Sequence, residues 1–426
     1  MTSSRTGAVI AAAAGAIATL IAWLAVAAPL AIGLVHPWPV DAPGAGPPPA
    51  PDAAAAPDAH RKVAAILLSQ AGTEITDFLA PYAILSESGA FDVVAVAPTR
   101  DVAPLNGGLG VLPDATFDEL EARHPGGVDV VVLPNVLDPD APVLRDWVRR
   151  QASRGARIAS ICEGARLLAG TGLLDGREAT THWAALGSLR DAHPAVRWRD
   201  DRRWVEDGPF LTSAGVTAAI EASLRIVARE ADAATAVRTA AALHLPPPRD
   251  PVSTPTRITA QDAITAVLEA GFRWPKRRIV VPLDDGVDEL PLAAALDAWP
   301  RTFAASAASV SAGRRAVRSR HGLALVPMLD TAAVAEGDHV VVPRATGVPA
   351  FDAVLLAIAR ELGGAPAALA ARQLELPVAH LALATYPTPV APPLAALGAL
   401  LAAGALAGLG VRRLRRRAQL RRRSGR

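Results

Sequence analysis

The stretch that most constrains this chain is residues 156–183, ARIASICEGARLLAGTGLLDGREATTHW, which holds its only cysteine, Cys162. Residues 157–161 read as a short buried strand. Gly164 follows the cysteine, and residues 165–169 open a helix. A small-residue turn from strand to helix with a nucleophile at its tip is a nucleophile elbow. The helix N-terminus behind Cys162 is expected to favour the thiolate and lower its pKa. His182 lies 20 residues further on, after two threonines, where a second strand can return it to the thiol. The competing reading is a buried structural cysteine, since free Cys is among the most buried residue types.

The segments before the elbow alternate strand and helix. Residues 62–69 form a short apolar run that ends before Gly72, residues 77–86 are helical and residues 92–97 form a second strand. Residues 129–134 are almost wholly apolar and rich in valine, as expected of a strand buried in a parallel sheet. Residues 142–154 carry an amphipathic stripe of Val143, Leu144, Trp147 and Val148. Alternation of this kind builds right-handed βαβ units and a doubly wound, mostly parallel sheet. Ligands on such sheets sit beyond the carboxyl ends of the strands, where Cys162 would lie.

Together these pieces resemble the DJ-1/PfpI (ThiJ/PfpI) family of the class I glutamine amidotransferase-like superfamily. The matching segments are GTEITDFLAPYAILSESGAFDVVAVAP, VDVVVLP, ASICEGARLLAGTGLLDGREATTHW and WVEDGPFLTSAGVTAAIEASLRIVARE, in the family's order over residues 60–245. The branch most similar is that of isonitrile hydratases and of the N-terminal half of AraC-type regulators. The resemblance implies that an acid at Asp77, four residues before Pro81, hydrogen-bonds the elbow thiol, with Glu74 as a second candidate. A carboxylate beside a thiol serves as general acid or base when partial burial raises its pKa. The plainer role for Asp77 is a helix N-cap, which is compatible with the first. His182, in TTHW, would stabilise a thiolate or orient a substrate, or else is a histidine satisfied inside the fold or at a subunit contact.

Two departures from the family stand out. The family's glycine pair after the third strand, where a backbone N–H helps form an oxyanion hole, is replaced by Asn135 and Val136 after Pro134. Glu163 follows the cysteine where protease-like members carry histidine. That argues against a peptidase and, if the carboxylate points inward, against the thiolate.

A chain of 426 residues is too long for one ordinary domain. After a proline-rich linker at residues 245–255, a second stretch repeats the first. KRRIVVPLDDGVDELPLAAALDAW, from Lys276, parallels the segment from Arg61. Gly72 matches Gly286 and Pro113 matches Pro327, both 214 positions apart. VDVVVLP matches GDHVVVP at an offset of 209. Pro291 stands opposite Asp77, so this copy lacks the chemistry, and it occupies the place of a regulator's helix-turn-helix domain.

The ends are apolar. Residues 7–35 are 29 positions without a charge, long enough for a bilayer span of about 20 residues. A cleavable signal peptide with Ala25-Val26-Ala27 at its site is the rival, though its core would be unusually long. Residues 394–411 supply 18 apolar or small residues, about 27 Å of helix. Nine arginines and no acid follow Val411. Without them 34 basic residues face 41 acidic ones, a net of −7, so the body does not invite nucleic acid.

The expected plan is therefore an α/β fold with an elbow, a degenerate second α/β repeat and a transmembrane helix at each end. The segments are a first span at 1–35, a Pro/Ala tether at 36–60, the DJ-1/PfpI-like domain at 61–245 and a linker at 246–275. The repeat follows at 276–386, then the second span at 387–411 and a basic tail at 412–426. Both termini are expected in the cytoplasm and the central domains outside. The expected function is a Cys162-dependent hydratase or hydrolase of a small molecule, with a non-catalytic ligand-binding or redox-sensing module as the alternative. The candidate site is Cys162, Asp77 and His182, with Glu74 and Glu163 secondary. No cofactor and no metal are expected. The partners are the membrane and an unidentified small molecule, without nucleic acid, and the two halves are expected to form an intrachain pseudo-dimer.

Overall fold

The computed structural model describes residues 2–35, 61–247, 258–344, 349–377, 379–389 and 391–424. The 36–60 tether and residues 248–255 of the proline-rich linker lie outside these.

A long N-terminal helix, α1 (Thr2–Val35), leads into the first α/β unit. Its sheet uses β1 (Lys62–Leu67), β2 (Phe91–Ala97), β4 (Val130–Leu133), β5 (Arg157–Ser160), β6 (Trp204–Asp207) and β7 (Phe210–Ser213). The short strand Ala115–Thr116 closes one edge. The order across the seven strands is β6-β7-β5-β4-β1-β2 and that edge strand. All pairs are parallel except β6–β7. The central strands are buried on both faces, and β4 reads VVVL with all four residues buried. Such continuous β-branched runs suit a sheet covered by helices on both sides. Ala64 and Ile66 of β1 face one core, Ala65 and Leu67 the other.

On one face lies α2 (Ile75–Glu87). On the other lies α3 (Pro142–Ser153), which buries Leu144, Trp147, Val148 and Gln151. Trp147 stacks on Phe117 with ring centroids 4.5 Å apart. Val143, expected in this stripe, is 49% exposed. It stands about 100° round the helix from Leu144 and falls outside the arc that meets the sheet. After the elbow come α4 (Gly164–Gly170) and α5 (Ala218–Glu230).

The segment expected as a linker at 246–275 carries a helix, α6 (Ala260–Phe272), capped by Thr259 in a reciprocal box with Asp262. Beyond it lies a second α/β unit with β8 (Arg277–Pro282), α7 (Glu289–Ala298) and β9 (Ala305–Ser311). Here β8 and β9 are parallel and are flanked by His339–Val340 and Leu329–Asp330. The units meet in several places, two of which join helices or strands. Helix α7 packs on α2, with Thr76 Oγ1 donating to Asp297 Oδ2 at 2.7 Å. A strand of the first unit, β3 (Leu109–Leu112), pairs antiparallel with β10 (Ala324–Pro327) of the second. In that register Val111 sits opposite Leu325, the residue 214 positions further on.

After α8 (Gly364–Gln373) the chain ends in α9 (Ala391–Ser424). Residues Ala391–Gln419 form the one helix among the described residues that is long and apolar enough to cross a membrane. The apolar stretch measured in α1, Ala8–Trp23, is shorter, so by this measure two spans are not supported. The two helices nevertheless pack together. A Cβ at Gly15 would stand 2.2 Å from Gly404 O, and one at Gly408 2.1 Å from Ala11 O. Positions rise along α1 as they fall along α9, so the pair is antiparallel.

Candidate functional site

Cys162 follows β5 and precedes α4, and its φ of 55° lies in the left-handed region that a non-glycine residue rarely adopts. Its N–H donates to Ala214 O at 3.1 Å, and its carbonyl accepts from Thr181 Oγ1 at 2.9 Å. The turn is tight enough that Gly164 tolerates no side chain, since a Cβ there would stand 2.1 Å from Leu133 O. Strain held by surrounding hydrogen bonds is common at functional sites.

Asp77 lies in the first turn of α2 and is fully buried. Its Oδ2 accepts from the Asn135 N–H at 3.1 Å, and its Oδ1 has no partner. Burial pushes its pKa up to about 7. The N-cap of α2 is Glu74, not Asp77, and Glu74 Oε2 accepts from the Asp77 N–H at 2.6 Å. Glu74 Oε1 accepts from Arg301 Nη2 at 2.8 Å. Burial, then Asp297 and Asp77, raise the Glu74 pKa well above the usual range against the pull of Arg301.

The thiol is not depressed as expected. Burial raises the Cys162 pKa well above its ordinary value, and Asp77, Glu163, Glu74 and Glu375 add to the rise in that order. The α4 dipole is outweighed by desolvation and four carboxylates. Glu163 itself pairs with Arg166 at 2.7 Å.

His182 is buried, and Nε2 lies 3.2 Å from Gln373 O. A carbonyl there requires the Nε2–H tautomer, which leaves Nδ1 as an unpartnered acceptor. Nδ1 is 4.0 Å from Glu163 Oε1 and Nε2 3.9 Å from Glu375 Oε1. Burial nevertheless lowers the imidazole pKa and favours the neutral ring.

Cys162, Glu163, His182 and Glu74 line one cavity of about 350 Å³, closed by Asp262, Ala263 and Ala266 of α6 and by Arg301, Leu369 and Gln373. Asp77 stands behind this wall. The second unit therefore builds part of the site, which its loss of the elbow residues did not suggest. Arg301 is buried between Glu74 and Asp297, its Nε donating to Asp297 Oδ1 at 2.7 Å. Burial works against its charge, but the two acids outweigh that and hold it protonated. Glu375 accepts from the N–H groups of Trp183 and Gly215 at 3.1 and 2.7 Å. Neither residue belongs to a motif. The single hint in sequence is an arginine set among Trp299, Pro300 and Phe303.

The Asn135 amide that the missing glycine pair brought into question is committed elsewhere. Its N–H serves Asp77, and its C=O accepts from the Glu74 N–H at 2.9 Å.

The sequence profile of the DJ-1/PfpI family matches residues 62–229. The deglycase PfpI of Pyrococcus furiosus is 30% identical over 152 residues, 35% of this chain and 87% of that protein. The chain belongs to the DJ-1/PfpI family. Other relatives in that family's neighbourhood differ in what they are. Isonitrile hydratase of Pseudomonas putida is 32% identical over 156 residues, 33% of this chain and 64% of that protein. The HTH-type transcriptional regulator CdhR of Pseudomonas aeruginosa is 38% identical over 88 residues, 21% of this chain and 26% of the regulator. The chain thus spans under two thirds of the hydratase and about a quarter of the regulator. Likeness to a transcriptional regulator of the helix-turn-helix type also corrects the expectation that excluded nucleic acid, which had rested on the net charge of the body and on the second repeat standing in the place of a helix-turn-helix domain.

Proposed function

We propose that this DJ-1/PfpI-family chain is a membrane-held, Cys162-dependent hydratase or hydrolase of small uncharged carbon–nitrogen compounds. What supports the reading is a buried elbow thiol within reach of the charge of Asp77, a buried carboxylate whose pKa burial pushes up to about 7. Its Oδ2 is held by the Asn135 N–H, and its Oδ1, without the expected hydrogen bond to the thiol, has no partner. Near neutral pH such a carboxylate takes a proton from the thiol as sulfur attacks and returns it one step later. Among the described residues of the cavity wall the one arginine, Arg301, is already held by Glu74 and Asp297, so an anionic substrate finds no free cation there. The committed Asn135 amide favours a reaction that needs no oxyanion hole at that group.

Addition to an isonitrile, the substrate named in one relative, meets these conditions. The Cys162 Sγ bonds to the terminal carbon of R–NC. The thiol proton passes through Asp77 to that same carbon, which gives a thioimidate, R–N=CH–S. Water then adds to this carbon, with His182 Nδ1 accepting its proton and passing it to nitrogen. Collapse breaks the C–S bond, releases the formamide R–NH–CHO and returns the hydroxyl proton to sulfur. The net change is addition of one water. The high thiol pKa weighs against the redox-sensing alternative, since sensor cysteines are low-pKa thiols.

Intact-mass analysis after exposure to a small alkyl isonitrile tests the reading. A Cys162-dependent adduct heavier by one isonitrile, absent from Cys162→Ser, is expected. Absence of both adduct and formamide would count against it.

Membrane attachment through α9 is the second half of the proposal. Glycine-mediated contact with α1 supports a two-helix hairpin, because small residues let helices approach closely in lipid. In this reading Arg5 and the arginines after Val411 share one end, and the preference of basic flanks for the cytoplasmic side supports both termini in the cytoplasm and the α/β units outside.

A further inference from the structure

Helix α6 is amphipathic in the wrong sense for a soluble protein. Its inward residues are polar until its last turn: Asp262, Thr265 and Glu269 are 2, 8 and 2% exposed, and only the terminal Gly271 and Phe272 bury non-polar groups. Its outward residues are apolar: Ile264 and Val267 are 60 and 48% exposed. Just before it Ile258 is 38% exposed, and just after it Trp274 is 50% exposed. A helix on a water-facing surface turns its apolar stripe inward. The inward acids are satisfied, Asp262 by Arg372 at 2.7 Å and Glu269 by Arg273, so the orientation is built in.

The neighbours of α6 point to what covers its outer face. It packs on α1 and α9 on one side and on α8 on the other. Trp23 of α1 donates Nε1–H to Gly271 O at 2.7 Å and meets Trp274 edge-on, with centroids 6.5 Å apart. Tryptophans gather at the headgroup level of membranes, and Arg273, Lys276, Arg277 and Arg278 follow at once. The inner side of the same helix walls the Cys162 cavity through Asp262, Ala263 and Ala266. Ile258 and Ala263 both line that cavity and stand exposed.

We propose that α6 lies in the lipid–water interface beside α1 and α9, and that the Cys162 cavity opens there. The ligand of this site is then an uncharged lipophilic molecule drawn from the bilayer. The inference rests on the membrane attachment proposed above.

The test uses the full chain with Cys162→Ser, which removes its only cysteine, in phosphatidylcholine–phosphatidylglycerol vesicles carrying doxyl-labelled lipids. Single cysteines at Ile264→Cys, Val267→Cys, Leu406→Cys on α9 and Ala122→Cys are labelled with an environment-sensitive fluorophore. Ala122 is an exposed residue of the helix Phe117–Arg123, which leads to the opposite end of the sheet. Quenching at 264 and 267 above that at 122, and below that at 406, is expected. Quenching at 406 with none at 264 or 267 would overturn the interfacial placement and leave attachment standing. Disulfide cross-linking between copies at Ile264→Cys without quenching would assign the face to a second chain and also overturn it. No quenching at any position would remove membrane attachment and this inference with it.

Discussion

Arg301 Nη2 donates to Glu74 Oε1 at 2.8 Å, and so places a cation from the second α/β unit against the acids beneath Cys162. The contact spans 227 residues of sequence and is buried on both sides. Arg301→Ala leaves Glu74 and Asp297 buried without their cation. Loss of one partner of such a pair costs about 3–5 kcal/mol. Denaturant unfolding at pH 7 measures it, and the loss is expected to shrink in acid as the carboxyls take protons.

Asp77 gives the account a pH signature. Its pKa rises from the ordinary carboxylate range, about 3.9, to about 7 on folding. The folded state therefore binds the proton more tightly than the unfolded one. Its ionisation lowers stability as pH climbs through the window between those values, and the loss is complete above about 7. Asp77→Asn removes this penalty, so the variant is expected to gain stability relative to the parent as pH rises from 4 to 7. Parallel unfolding curves across that range measure the difference.

Thiol reactivity follows from the same charges. Alkylation of Cys162 by iodoacetamide is expected to be slow at pH 7 and still climbing beyond the ordinary thiol pKa of about 8.5. Glu163→Gln removes one opposing charge at a partly exposed position. It should speed alkylation about fivefold, equivalent to roughly 1 kcal/mol of repulsion.

Gly164→Ala tests the elbow. The added methyl would sit 2.1 Å from Leu133 O, so the strand–helix junction must open. A loss of about 1–3 kcal/mol in stability, as for overpacked cores, and a still larger proportional loss of Cys162 chemistry are expected. Unfolding curves and adduct formation measured side by side separate the two.

The strands and helices of the first unit were legible because their periods are strong. VDVVVLP can only be a buried strand, and ASICEGARLLAG turns from strand to helix within three residues. The acid at Asp77 and the returning His182 were legible only through family resemblance, since spacing alone does not bring them to Cys162. Arg301, Gln373 and Glu375 were not legible, because a buried charge is explained by partners that sequence keeps more than 150 residues away. The rise of the thiol pKa was missed for the same reason: burial and four carboxylates from three parts of the chain, the start of α2, the elbow and the segment after α8, sum at one atom. Helix α6 was read as a linker because its apolar residues face outward and leave no core-facing stripe.

The most direct measurement is turnover of a small alkyl isonitrile by the full-length protein in vesicles, followed by NMR detection of the N-substituted formamide from pH 5 to 9. The account expects Cys162-dependent formamide, a rate that rises through an acid limb near pH 7, and a 10²–10⁴-fold loss in Asp77→Asn with that limb abolished. Formamide production that persists in Cys162→Ser, or none from the parent protein at any pH, would contradict it.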